Sequence, residues 1–348
     1  MDKSAKPNKR GAVTIKEVAR VAGKSIGTVS RVLNGHPDVT ESSRTAVEAA
    51  IVRLGYEPSI VAQSMRTRAK KAIGFMVNDI SNPLFATITR HAEAVLHDNG
   101  YALVLANSGD RPAAEVELLQ QFFRPRTDAA MLSLSDETNP QLLARLRDVE
   151  LPLVLMDREP QGLDIDRVMT DHAEGMRLAT AYLMSLGHRR IALITADRRI
   201  SPGRARIDGF TAAHEAAGIS VDPDLVRSRN LSASYAFQET FSLLSSPSPP
   251  TAIISGGNQI LLGVMRAVRQ LGVSVPGALS IISCDSTDLA ELGSPPITVI
   301  WRDLAQIGRA AADLLVQRLA SEEEWRPRRI MLPTELLVRD SCAPPPKK

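Results

Sequence analysis

Hydrophobic positions follow two different periods along this chain. From residue 12 to about residue 58 they recur at helical spacing. Thr14 and Glu17 are spaced as a capping box ahead of Ile15, Val18 and Ala19, and Gly23 ends that helix. Ser25 caps a second helix that carries Val29, Val32 and Leu33 and stops at Gly35. Thr40 starts a third, in which Ala46, Val47, Ala50, Ile51 and Leu54 form one stripe, with Gly55 and Pro58 as its end. Ser59 to Arg66 suits a fourth helix, too short to be stable alone in water.

From Ala72 the period changes. Short apolar runs recur, each ending in a small or polar residue: "AIGFMVND", "YALVLANS", "DAAMLSLS", "LPLVLMD", then "RRIALITAD", "TAIISGGN" and "LSIISCD". Helical spacing lies between them, as in Phe85 to Leu96 and Glu174 to Leu186. This alternation predicts an α/β fold with parallel sheets, and runs apolar on both faces predict buried strands. Two sheets are expected, with a crossover near Met169 to Asp171, and "ITVIWRD" and "RRIMLPTELLVRD" add late strands. In such sheets ligands bind beyond the carboxyl ends of the strands. Those ends carry Asp79, Asn107, Asp157, Asp197, Asn258, Asp285 and Asp303, a polar set of which only a few are expected to touch a ligand.

Charge separates the same two regions. Residues 1–71 hold 14 Lys+Arg against 6 Asp+Glu, whereas the rest holds 28 against 33. A basic head on an acidic body points the head at a polyanion. The two cysteines, Cys284 and Cys342, and the six histidines show no metal-ligand spacing, so neither metal nor cofactor is expected. The polar N-terminus does not read as a secretory signal, and no apolar run is long enough to span a membrane, so a cytoplasmic, nucleoid-associated protein is expected.

Helix, glycine-containing turn and second helix make a helix-turn-helix, whose second helix reads bases from its N-terminal part. Here that part is Ser25, Ile26, Gly27, Thr28, Ser30 and Arg31. Thr28 and Ser30 can hold phosphates, while Arg31 can contact guanine through two hydrogen bonds. Ile26 offers an apolar contact such as a thymine methyl, and Gly27 lets the backbone come close. Thr14 and Asn34 complete the expected headpiece contacts with double-stranded DNA.

The runs "VTIKEVARVAGKSIGTVSRVLNG", "VTESSRTAVEAAIVRLGYEPS" and "VAQSM" resemble the lactose-repressor (LacI/GalR) family of transcription regulators. The resemblance continues through "AIGFMVNDISNPLF", "SLGHRRIALI", "RARIDGF", "GGNQILLGVMRAVRQLG", "VPGALSIISCDSTD" and "LPTELLVRDS". It implies a headpiece, a hinge helix and an effector-binding core similar to periplasmic sugar-binding proteins, in a homodimer on a palindromic operator. It makes Met65, preceded by Ala62, the apolar wedge into the minor groove, with packing between hinge helices as its other reading. Gln63 stands where the family often has arginine, and Lys24 where a small apolar residue is usual. In the core the resemblance makes Arg206 and Asp285 effector-binding residues, unless they pair with each other as an interdomain salt bridge. Phe85 then packs on ligand or in the core, and Trp301 walls the cleft or packs likewise. The loop "GGN" lacks the family's usual Asn-Asp pair and leaves Asn258 as its polar residue.

The expected domains are a disordered basic arm (1–11), an all-α helix-turn-helix headpiece (12–58), a hinge helix and linker (59–71), an α/β core of two subdomains (72–343) and a tail (344–348). Within the core, one subdomain takes about 72–168 and 300–328, the other about 169–296 and 329–343. The expected function is a DNA-binding regulator, most simply a repressor, controlled by a small polar effector. A carbohydrate fits polar strand ends and few aromatics better than a nucleobase does. The alternative, a solute-binding protein of a sugar transporter, leaves the basic headpiece without a role. No G-x-G-x-x-G on a strand, P-loop, G-x-S-x-G or H-E-x-x-H is present, so an enzyme is not expected.

Overall fold

The helical and the alternating period fall in separate compact units, divided between Lys70 and Lys71. The computed structural model describes residues 13–33, 36, 38–56 and 70–347. The expected contacts Asn34, Ala62 and Met65, the stop at Gly35, the expected hinge helix and the basic arm lie outside the described residues.

The first unit holds α1 (Ile15–Ala22), α2 (Ile26–Leu33) and α3 (Glu41–Leu54). The Glu17 carboxylate accepts from the Thr14 backbone N–H at 2.7 Å and from its hydroxyl at 3.0 Å. These bonds hold the Glu17 carboxyl below its ordinary range. Gly23 closes α1 at φ +63°, a left-handed turn that a Cβ would strain. Val18, Ala19, Val29, Val32, Val47 and Ala50, one stripe from each helix, form the buried centre. Thr40 precedes α3, but its hydroxyl bonds to that of Ser43 at 3.0 Å rather than to a backbone N–H.

The second unit contains two six-stranded sheets. In the first, the order is β11 (Arg329–Leu332), β5 (Asp166–Thr170), β4 (Leu153–Met156), β3 (Ala129–Leu132), β1 (Ala72–Val77), β2 (Ala102–Asn107), all parallel. In the second it is β12 (Glu335–Leu337), β10 (Thr298–Trp301), β9 (Ser280–Cys284), β8 (Ala252–Ser255), β6 (Ile191–Ala196), β7 (Val226–Arg229), with only β12 antiparallel to its neighbour. Helices α4 (Pro83–Asp98), α5 (Pro112–Glu117) and α6 (Pro140–Asp148) belong to the first half. The second half has α7 (His172–Ser185), α8 (Ser201–Ala216), α9 (Ala233–Leu244), α10 (Asn258–Leu271) and the short α11 (Asp288–Glu291). Helix α12 (Leu304–Ala320) returns to the first half, where Ile307, Ala311 and Leu315 pack with Ile88, Ala92 and Leu96 of α4.

The chain therefore passes between halves three times, after β5, after β10 and after β11. This corrects the subdomain division expected from sequence. The strand Arg329–Leu332 pairs with Arg167–Thr170 and so belongs to the first sheet, whereas Thr298–Trp301 pairs with β9 in the second. Pro333 lies between β11 and β12, and the run "RRIMLPTELLVRD" supplies one strand to each sheet. Two strands have no counterpart among the apolar runs. In β7, "VRSR" is a polar edge strand, and β5 holds Asp166 and Arg167 in its first two positions. Among the described residues no helix is long and apolar enough to cross a membrane.

Candidate functional site

In the first unit, α2 keeps Val29 and Val32 in the core and turns Ser25, Ile26, Gly27 and Arg31 outward. The Ser25 hydroxyl accepts from the Thr28 backbone N–H at 3.1 Å and bonds its hydroxyl at 2.9 Å, capping the helix. Ile26, a large aliphatic side chain, is 40 % exposed. Such exposure is ordinary for a single residue, but here it sits at the free front of a capped helix, beside a glycine and an arginine one turn on. Thr28 and Ser30 are half-buried, and Thr14 lies exposed at the start of α1.

In the second unit, the carboxyl ends of both sheets face one cleft. Its cavity of about 70 Å³ is lined from the first half by Asn78, Asn82, Phe85 and Asp157, and from the second by Arg206, Gly256, Asn258 and Asp285. Arg302, on the connection from β10 to α12, lies between them. Its guanidinium donates to Asp285 through Nε and to Asp157 through Nη1, and Nη1 also reaches the Thr170 hydroxyl at 3.4 Å. Both carboxylates sit where the backbone turns left-handed, at φ +49° for Asp157 and +69° for Asp285. That turn at a strand end aims the side chain into the cleft, and aspartate tolerates it better than most residues.

The electrostatics follow from that placement. Burial acts to raise both carboxyls, but His172 and Arg302 hold Asp157 well below the usual carboxylate range, and Arg302 holds Asp285 below its ordinary value. His172 Nε2 lies 3.2 Å from Asp157 Oδ2. Burial nevertheless pushes the imidazole down to about 4, so at neutral pH the ring is uncharged and Arg302 carries the compensating charge. The cleft thus presents two carboxylates, Asp157 and Asp285, against two guanidiniums, Arg206 and Arg302. A third guanidinium, Arg158, has the Glu137 carboxylate 3.9 Å away.

Arg206 comes from the second turn of α8 and is 3 % exposed. Its Nη1 donates to the Gly256 carbonyl at 2.7 Å, while its Nε is buried without a hydrogen-bond partner. A Cβ at Gly256 would strike the Thr195 side chain, and Gly257 adopts φ +141° on its way into α10. The "GGN" loop that lacks the usual polar pair thus brings backbone where a side chain would not fit. Asn258 donates through Nδ2 to Asn82 Oδ1 at 3.1 Å, across the cleft, and its Oδ1 is buried without a partner. Phe85 lines the cavity and also packs edge-on against Phe75, with ring centroids 6.2 Å apart.

Of the residues expected at the effector site, Phe85, Arg206, Asn258 and Asp285 converge. Trp301 does not. It packs against the core of the second sheet, with Leu231 and Val273, and its neighbour Arg302 takes the place in the cleft. The reason is strand alternation, which turns Ile300 to one face of β10 and Trp301 to the other. Arg206 and Asp285 do not form an interdomain salt bridge. Both belong to the second half, and inside the cavity the ion pairs that join the halves run through Arg302. Arg302 was open to a search for charged residues just past strand ends. Of the other strand-end residues, Asp79 accepts from Ser81, Asn107 from Ile80, Asp197 pairs with Arg199, and Asp303 caps α12.

Comparison with known proteins joins the two units. Residues 14–59 match the bacterial regulatory proteins of the lacI family, and residues 180–342 match the periplasmic binding protein-like domain. The ribose operon repressor of Escherichia coli (strain K12) is 32% identical over 329 residues, 94% of this chain and 99% of that one. The lac repressor dimer bound to operator and the anti-inducer ONPF superposes with a TM-score of 0.83 at 26% identity, covering 95% of this chain and 99% of that one. A complex of the transcriptional regulator CelR with cellobiose gives a TM-score of 0.70 at 30% identity, covering 94% and 99%. With its helix-turn-helix unit and its two-sheet core, the chain belongs to the LacI family and is a DNA-binding transcriptional repressor, not an enzyme.

Proposed function

We propose that this repressor is controlled by a neutral carbohydrate held in the cleft between its two sheets. The observation that carries the reading is the composition of that cleft. Arg302 is already paired with both Asp157 and Asp285, and Arg206 Nη1 donates to the Gly256 carbonyl, so the groups left open at the cavity are hydrogen-bonding ones. Arg206 Nε and Asn258 Oδ1 are a buried donor and a buried acceptor without partners. Hydroxyl groups, each both donor and acceptor, suit such a set. Among the described residues Phe85 is the one aromatic at the cavity, too little stacking surface for a nucleobase. The relative solved with cellobiose, and another LacI-family regulator solved with ribose, are consistent with this class of ligand.

In this reading two copies of the chain bind a palindromic operator, as the lac repressor dimer is bound to its operator, and each inserts α2 into the major groove. Ser25, Thr28, Ser30 and Thr14 position the helix on phosphates. Arg31 reads a guanine, and Ile26 and Gly27 supply an apolar contact and a close backbone. Asn34, Ala62 and Met65 extend the contact, Met65 as the minor-groove wedge. Trp301 acts only through core packing, and Arg302 takes its place among the effector contacts. A thermal-shift screen of the purified chain against neutral sugars, sugar acids and nucleobases tests the ligand class. At a hundredfold excess over Kd a true effector stabilises by about 2.7 kcal/mol. A neutral sugar is expected to raise the melting temperature; a response confined to acids or nucleobases would overturn the assignment.

A further inference from the structure

Outside the cavity, the two halves meet a second time around one buried carboxylate. Glu137 lies in the loop after β3, in the first half, and its side chain is 1 % exposed. Helix α8 of the second half begins at Ser201, preceded by Ile200, which has no side chain able to cap it. Glu137 performs that role from across the cleft. Its carboxylate accepts from the Ser201 backbone N–H, from the Ser201 hydroxyl at 2.8 Å and from Arg204 Nη2 at 2.7 Å. It also accepts from the Glu159 N–H of its own half at 3.1 Å, and the Glu137 N–H donates to the Arg199 carbonyl at 3.1 Å. A carboxylate at a helix N-terminus, bonded to a cation one turn on, is a strong charge-assisted arrangement.

We propose that Glu137 is a closure latch: it caps α8 in trans and holds the two halves together whether or not a ligand is present. Glu137 does not line the cavity, so it is a positioning residue that acts through α8, the helix that also carries Arg206. The latched cavity of about 70 Å³ falls well below the roughly 300 Å³ at which ligand pockets begin. Ligand entry therefore requires the latch to open, and the bound affinity includes the free energy of opening it. The inference holds for any ligand class and does not rest on the carbohydrate reading.

The test is a distance measurement on the ligand-free full chain. Spin labels go on the exposed Ala144 of α6 and Ala216 of α8, one in each half, with Cys342 changed to Ser. Labelled chain is diluted with unlabelled chain so that only distances within one copy are read. Wild type is expected to give a single short distance. Glu137→Gln and Arg204→Met should each lower the closed-to-open ratio about tenfold, the double variant no further than either single one, and Arg204→Lys should keep the short distance. The Arg204 side chain is 31 % exposed, so its variants keep the fold if Glu137→Gln does not. An open wild type, or an unchanged distribution in Arg204→Met, overturns the latch.

Discussion

Replacing Arg302 with methionine removes the ion-pair partner of Asp285 and the cation that faces Asp157 at neutral pH, where His172 is uncharged, with both carboxylates left in place. The guanidinium is 7 % exposed, and the carboxylates 13 % for Asp157 and 4 % for Asp285. Methionine matches the aliphatic stem, so lost packing is a minor part of the change. Breaking a buried pair by removing one partner costs about 3–5 kcal/mol, because the remaining charge stays buried. For the roughly 280 residues from Lys71 onward, about 2.1 cal/mol/K per residue gives an unfolding entropy near 0.6 kcal/mol/K. The core transition in scanning calorimetry should therefore fall by about 5–9 °C at pH 7.

The pH dependence identifies the cause. In wild type both carboxyls are held below their unfolded values, so they stabilise the fold above that range and the stabilisation is lost as pH falls through it. Without Arg302, burial dominates and the folded values rise above the unfolded ones. Protonation then favours the variant's folded state, and the gap to wild type should narrow from pH 7 to pH 5. Asp157→Asn and Asp285→Asn, added to the methionine variant, should recover much of the loss at pH 7. A gap that stays constant with pH, or no recovery in the triple variant, would refute the charge argument and leave a packing effect.

Four further outcomes follow from the geometry. Arg31→Ala should weaken operator binding by about 1–3 kcal/mol in an electrophoretic or anisotropy titration, and relax specificity at one base pair. Exchanging Ile26 and Gly27 for other small or polar residues should change which operator is selected from a randomised pool, with the circular dichroism of the unit unchanged. Arg206→Ala should abolish the effector's influence on operator affinity and leave operator binding itself intact; loss of DNA binding at unchanged fold would contradict the division of labour. His172, held at about 4 against an unfolded value near 6.5, binds fewer protons folded than unfolded between those values. Its contribution to stability is therefore present above about 6.5 and is lost as pH falls toward 4, on the order of 3 kcal/mol in all, and His172→Gln should flatten that stretch of the stability profile.

How much of this was legible in the sequence depends on whether local pattern or long-range pairing decides the feature. Capping, the αL glycine and the apolar stripes are local, so α1, α2 and the core of the first unit follow from residues 14 to 54 almost position by position. The buried strands are legible because both faces are apolar. By contrast β7 is a polar edge, and its pairing with β6 is fixed by neighbours distant in sequence. The same holds for β11 and β12, which the sequence presents as one run and the fold sends to opposite halves. At the site, aromatic character drew attention to Trp301, whereas alternation along β10 turns it into the core and leaves Arg302 for the cleft. Asp157 was visible as a strand end, but its pairing with Arg302 comes from two crossovers meeting, which no local spacing records.

Two of the polar fastenings across the closed cleft are of different kinds, and their difference matters for control. Arg302 joins the halves inside the cavity, among groups a ligand would touch, so any ligand that engages Asp157 or Asp285 competes with it or shares it. Glu137 joins them outside the cavity, where a ligand cannot reach, and it opposes opening equally for every ligand. A ligand can shift the arrangement only through its differential affinity for the open and closed forms. Interior contacts can therefore set which molecule acts, while the outer latch sets how much affinity any molecule must bring. By reciprocity, a change at Glu137 that alters closure alters operator affinity only if the operator-bound form prefers one arrangement. Operator titrations of Arg204→Met without ligand read that preference directly: weaker binding means the closed core is the repressing form, tighter binding means the open one is.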